Sequence, residues 1–170
     1  FKSLSGQVAR VQAGRPYLLF GDGRLTACKP ISDADLGRFL ARCLADPDLQ
    51  NRVLPIGGPG PALTPRDMGE MLFDLTGRPP RWRSVSPRLL SVIAGALSLA
   101  GAVSRRAADR AEFARTGHYY ATESMLVRDP GTGRYDAAAT PEFGTETLRD
   151  HYAAMLSGEV ADDRGAHAVF

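Results

Sequence analysis

Along this 170-residue chain the apolar positions change period repeatedly, and each change marks an element. Phe1, Leu4, Val8 and Val11 recur at helical spacing over residues 1–13, and Gly14 and Pro16 end that helix. Tyr17–Phe20 reads as a short apolar strand, Gly21-Asp22-Gly23 as a tight turn, and residues 25–31 as a second extended segment. Leu36, Phe39, Leu40 and Leu44 predict a helix over Asp33–Ala45 behind Ser32 as N-cap, stopped by Pro47. Residues 53–56 predict a short buried strand, and the Gly/Pro-rich residues 57–61 an irregular turn.

Thr64 and Pro65 open a further helix that runs to Thr76 and closes at Gly77. Residues 81–85 are basic and extended. Residues 87–103 predict the most apolar helix, with sixteen uncharged residues between Arg88 and Arg105. A bilayer-crossing helix needs about twenty, so a core or interface helix is the better reading. A charged helix over 105–117 ends at Gly117, residues 129–133 form a turn, and 145–156 a last helix. Residues 157–170 lack any period and are expected to be a disordered tail.

Composition narrows the class. An apolar fraction of 44% and a charged fraction of 24% suit a globular protein. A net charge of +2 gives no reason to expect nucleic acid as a partner. Cys28 and Cys43 lack the spacing of a metal site and read as reduced, buried thiols, which suits a cytoplasmic location. The chain starts at Phe1 without a signal peptide and reads as a fragment.

Two blocks carry a family resemblance. One runs from FKSLSGQV through PYLLFGDGRLTACKPISDADLGRFLARCL to VLPIGGPGPALTPRDMGEMLF; the other is RTGHYYATESMLVRDPGTGRYDAAATPEFGTETLRDHY. Together they resemble the carboxyl-terminal portion of the divinyl chlorophyllide 8-vinyl-reductases. That family is an atypical branch of the short-chain dehydrogenase/reductase superfamily, related to NmrA-like and isoflavone-reductase-like proteins. The resemblance covers residues 1–156. It implies an α/β chain, the carboxyl-terminal part of a Rossmann-like NAD(P)-binding fold with a helical substrate-side region and its nucleotide-binding front half absent. It also implies an NADPH-dependent reduction of the 8-vinyl group of a divinyl chlorophyllide or protochlorophyllide to ethyl in (bacterio)chlorophyll biosynthesis. The family pattern is incomplete here. No G-x-G-x-x-G loop follows a strand, and neither Lys2 nor Lys29 lies four residues after a tyrosine as a Tyr-x-x-x-Lys pair requires. The 170 residues alone are therefore expected to be inactive, with NADPH bound mainly by the missing part. A non-enzymatic NmrA-like ligand-binding or interaction protein is the alternative.

Vinyl reduction requires a hydride on one carbon and a proton on its neighbour. By the resemblance, Phe1 and Lys2 pass near the nicotinamide, and Lys2 is either its electrostatic support or a solvated helix-start charge. Lys29 either faces a pigment carboxylate or is a charge at a strand end. His118, Tyr119 and Tyr120 gather an axial ligand for the pigment's magnesium, two phenols and two ring faces, with Met125 as a further wall; the same residues also suit helix packing. Tyr119 and Tyr120 are the candidate proton donors, and no resident metal site is expected. Asp33 and Asp35 read as capping charges, and the prolines of residues 57–61 remove the donors a phosphate loop needs. The apolar helix over 87–103 and the pair Arg81 and Arg83 leave peripheral contact with a photosynthetic membrane open.

Overall fold

The computed structural model describes residues 1–89, 91, 92, 95, 97 and 104–161. A 3-10 helix, Lys2–Gln7, runs directly into α1, Val8–Gln12. Strand β1, Tyr17–Phe20, is followed by α2, Asp33–Ala45, a 3-10 turn, Pro47–Leu49, and α3, Pro65–Thr76. Strand β2, Trp82–Val85, then returns to lie parallel to β1, pairing Tyr17 with Trp82 and Phe20 with Val85. Parallel neighbours need a long crossover, which α2 and α3 supply. Helix α4, Arg105–Thr122, leads to the hairpin of β3, Val127–Arg128, and β4, Tyr135–Asp136, and the chain closes with α5, Leu148–Ser157. Most of the apolar helix over 87–103 and the tail residues 162–170 lie outside the described residues.

The core lies where α1, α3 and α5 meet β1: Val8 and Val11, Met68, Leu72 and Phe73, Leu148 and Tyr152, Tyr17 and Leu19. Helix α3 is fixed at both ends by its own sequence. The Thr64 side chain accepts the Asp67 N–H while the Asp67 carboxylate accepts the Thr64 N–H, and Gly77 closes the helix in the left-handed conformation at φ 62°. Its buried Gly69 lets the Trp82 indole lie directly on the backbone, where Phe73 and Tyr17 meet it edge-on and the Arg66 guanidinium covers it at 3.9 Å. The outer edge of β1 is covered too, since the Leu18 N–H donates to Gln7 Oε1 at 3.3 Å.

Several sequence expectations need correction. Residues 53–56 are not a buried strand: Val53 is 97% exposed and the segment has no ladder partner among the described residues. Pairing starts at Gly57, whose N–H donates to Pro141 O and whose carbonyl accepts from Phe143. Residues 25–31 form no strand and make isolated bridges only at Cys28. Gly117 does not end the charged helix, which continues to Thr122. Burial of Ala114, Gly117 and Ala121 on one side carries it past that weak point. The last helix begins at Leu148 rather than 145, because the Thr145 and Glu146 N–H groups are drawn to Asp35 and Thr147 is the N-cap. Cys28 and Cys43 are free thiols, as expected, but both are half-buried rather than buried. Finally, Leu40 and Leu44 of α2 face outward, the latter 82% exposed.

Candidate active-site edge

The last two turns of α4 carry the aromatic group. His118 is half-buried, while Tyr119 and Tyr120 are 58% and 49% exposed and meet edge-to-face with ring centres 5.8 Å apart. The helix ends at Glu123, whose N–H donates to Tyr119 O at 2.8 Å and whose carboxylate accepts from the Tyr135 hydroxyl of β4. That hydrogen bond, reinforced by burial and the carboxylate charge, raises the Tyr135 phenol above its usual pKa.

Residues 124–125 then align beside residues 27–28. The Ala27 N–H donates to Ser124 Oγ at 3.0 Å and the Met125 N–H to Ala27 O at 2.9 Å, so Met125 bridges to Cys28 in parallel register. Met125 and Leu25 are both exposed. Tyr119, Tyr120, Met125 and Leu25 thus leave apolar side-chain surface exposed around this junction, with the His118 imidazole half-buried.

Lys29 is brought to the same segment and is already partnered. Its Nζ donates to Glu142 Oε1 at 2.7 Å and to Thr140 O at 3.2 Å, and its side chain is only 7% exposed. Glu142 Oε2 accepts the Gly60 N–H, and these hydrogen bonds with the ammonium charge hold the Glu142 carboxyl below its usual range. Phe1 sits elsewhere, its ring 5.1 Å from that of His151 on α5. The Lys2 side chain lies outside the described residues. The structure thus sets Met125 beside Cys28, the neighbour of Lys29, a few residues along the chain from His118, Tyr119 and Tyr120, and places Phe1 against a different helix.

Sequence reasoning missed four groups. Asp35 is fully buried; beyond capping α2 with Ser32, it accepts from Arg38, Thr145 N and Glu146 N. Burial alone would raise its pKa, but these hydrogen bonds together lower it. Ser5 Oγ and His151 Nε2 share a hydrogen bond of 3.1 Å, and Tyr152 Oη donates to Leu4 O at 3.1 Å from the centre of the core. Burial lowers the His151 pKa. Burial pushes the Cys28 thiol up to about 11, so it is protonated and a poor nucleophile at neutral pH. Nothing local to Asp35, Ser5, Glu142 or Tyr152 announces these contacts, since their partners are more than a hundred residues away.

The Gly/Pro-rich loop of residues 57–61 does not fit a dinucleotide pyrophosphate. In the one Gly-rich loop, Gly57 N donates to Pro141 O, Gly58 N to Lys29 O and Gly60 N to the Glu142 carboxylate. Pro59 and Pro61 have no N–H to offer, and a carboxylate faces the loop where a phosphate would need donors. Among the described residues no cluster of His, Cys, Asp or Glu could hold a metal ion, and no helix is long and apolar enough to cross a membrane.

No protein-family model matches the chain. Curated proteins do. The chain is 46% identical over 171 aligned residues to the chloroplastic divinyl chlorophyllide a 8-vinyl-reductase of Oryza sativa subsp. indica, covering all of this chain and 42% of that protein. The protein of the same name from Cucumis sativus is 47% identical over 171 residues, with 41% of its length covered. That of Arabidopsis thaliana is 47% identical over 156 residues, 92% of this chain and 37% of its own length. These matches bear out the resemblance read from LPIGGPGPALTP and GHYYATESMLV. The chain spans about two fifths of the length of the curated relatives it matches.

Proposed function

We propose, from the premise that this chain belongs over its matched length to the divinyl chlorophyllide a 8-vinyl-reductase family, that it is the pigment-side portion of an oxidoreductase converting the 8-vinyl group of a divinyl chlorophyllide or protochlorophyllide to ethyl. The observation that carries this reading is identity of 46–47% along essentially the whole chain to reductases bearing that name. NADPH is the reductant in this reading, and the Gly-rich loop here gives it no seat, so cofactor binding falls to a Rossmann-like portion beyond the match. The parallel β1–β2 pair with its helical crossover supports that α/β assignment.

The share of these residues is recognition. A tetrapyrrole is flat and apolar with a polar rim, and the Tyr119–Tyr120 pair, Met125 and Leu25 offer an exposed surface for its face. His118 stands one residue before the pair as an axial ligand for the pigment's magnesium. Tyr119 or Tyr120 is the proton donor in this reading, because an exposed phenol O–H is a group that can hand a proton to a carbon of a ligand lying against its ring. Leu89 and Val92, exposed beside Arg88, support contact with a membrane surface that holds such pigments.

The test is a turnover assay on the full-length protein containing this segment, supplied with NADPH and divinyl chlorophyllide a. Monovinyl product, resolved by chromatography and by its shifted absorption band, is the expected result. A folded full-length protein that leaves the 8-vinyl group untouched would overturn the proposal.

A further inference from the structure

Helix α2 presents an apolar stripe whose outer part, Leu40 and Leu44, nothing in the described chain covers, while Leu36 and Cys43 at its inner margin are half-buried. Leu36, Leu40 and Leu44 recur every four residues with Cys43 beside them, so they share one side of the helix. The adjoining side is committed: Asp35 is buried against the Thr145 and Glu146 N–H groups, and Phe39, which borders Leu36 and Cys43, packs edge-to-face on Phe143 at 5.3 Å. Leu40 and Leu44 are exposed, and so is Val53 in the apolar segment that follows the helix. Residues 53–56 have a strand's sequence and no strand partner among the described residues. A solvated helix keeps charge, not leucine, at such positions.

We infer that the α2 stripe and the segment beginning at Val53 form one docking face for the part of the reductase polypeptide that lies outside the matched two fifths. This rests on the reductase reading. Two observations select that occupant. The relatives carry more than half their length beyond the match, which must pack against something. An apolar segment without a ladder partner among the described residues, following closely on a helix with an exposed leucine edge, offers what a sheet with a covering helix requires, a strand to add and a layer to lay over it.

The experiment uses the full-length protein. Native Cys43 alkylation by a maleimide is followed by peptide mass spectrometry against the same protein in denaturant, with Cys28 as an internal reference. Protection of Cys43 by at least on the order of ten-fold is expected, and Leu44→Arg or Val53→Arg should lower the full-length melting temperature and release that protection. Cys43 labelling as fast as in denaturant, with unchanged melting temperatures in both variants, overturns the inference. So does protection that fades on dilution, since a second copy would then be the cover. Turnover is read separately: protected Cys43 in a protein inactive on the divinyl pigment would sink the functional reading and leave the docking face standing.

Discussion

The Asp35 carboxylate accepts the Glu146 backbone N–H at 3.0 Å, joining the start of α2 to the approach to α5 across 111 residues of sequence. Thr145 N–H reaches the same oxygen, while Ser32 and Arg38 complete the shell. Asp35→Ala leaves two backbone donors and a hydroxyl without their acceptor in a closed site. A fall in melting temperature of roughly 5 °C or more is expected, with thermal denaturation as the measurement. A retained melting temperature would contradict the assignment.

Acid should weaken the fold through the same group. The Asp35 and Glu142 carboxyls are both held below their usual values, the first by its hydrogen bonds against the opposing effect of burial, the second by Lys29 and the Gly60 N–H. Their contribution is fully present above the unfolded values of about 3.9 and 4.3 and is lost as pH falls through the lower folded values. Denaturation midpoints measured between pH 6 and pH 2.5 should hold level for these two groups and then drop below about pH 4. Asp35→Asn should flatten that acid limb.

Gly69→Ala should destabilise by about 1–3 kcal/mol, although alanine is the better helix former. The added Cβ would stand 2.5 Å from the Trp82 ring, which Tyr17 and Phe73 hold in place. Chemical denaturation with tryptophan fluorescence reports both stability and the displaced indole.

Lys29 and Glu142 provide a double-mutant cycle. Each single change, Lys29→Gln or Glu142→Gln, breaks the same ion pair, so the double variant should lose less than the two effects added. Strict additivity would mean the pair contributes nothing. If Lys29 also meets a pigment carboxylate, Lys29→Gln raises KM in the full-length enzyme while Glu142→Gln does not.

Tyr119→Ala and Tyr120→Ala should leave stability nearly unchanged, because both rings are largely solvated. In the full-length enzyme each should raise KM for the divinyl pigment about ten-fold, equivalent to about 1.4 kcal/mol. Whichever ring supplies the proton should lose kcat in its phenylalanine variant as well, a split that steady-state kinetics resolves.

Short-range chemistry was readable from the sequence. Ser32 before Asp33-Ala-Asp35, Thr64-Pro65 and Asp129-Pro130-Gly131 each specify a cap or turn within four residues, and each forms as read. What failed depends on distant partners. Leu44 has the period of a core residue and Val53 the neighbours of a buried strand, yet apolar period says only that a face needs covering, not that this stretch of chain covers it. Asp35 was half-understood for the same reason, as its capping role is local and its clasp on residues 145–146 is not. His118, Tyr119 and Tyr120 stand out in the sequence because they are contiguous, whereas Glu123 and Tyr135 are joined only once the hairpin folds.

The Gln7 side chain has a topological consequence. Alternation along β1 turns the Tyr17 and Leu19 amides toward β2 and the Leu18 amide away from it, and Gln7 Oε1 occupies that outward donor. A strand arriving at β1 would have to displace an amide oxygen anchored by a buried helix turn. Addition of a strand at β1 must therefore first break that hydrogen bond, and the glutamine acts as a gatekeeper against edge-to-edge association of neighbouring molecules.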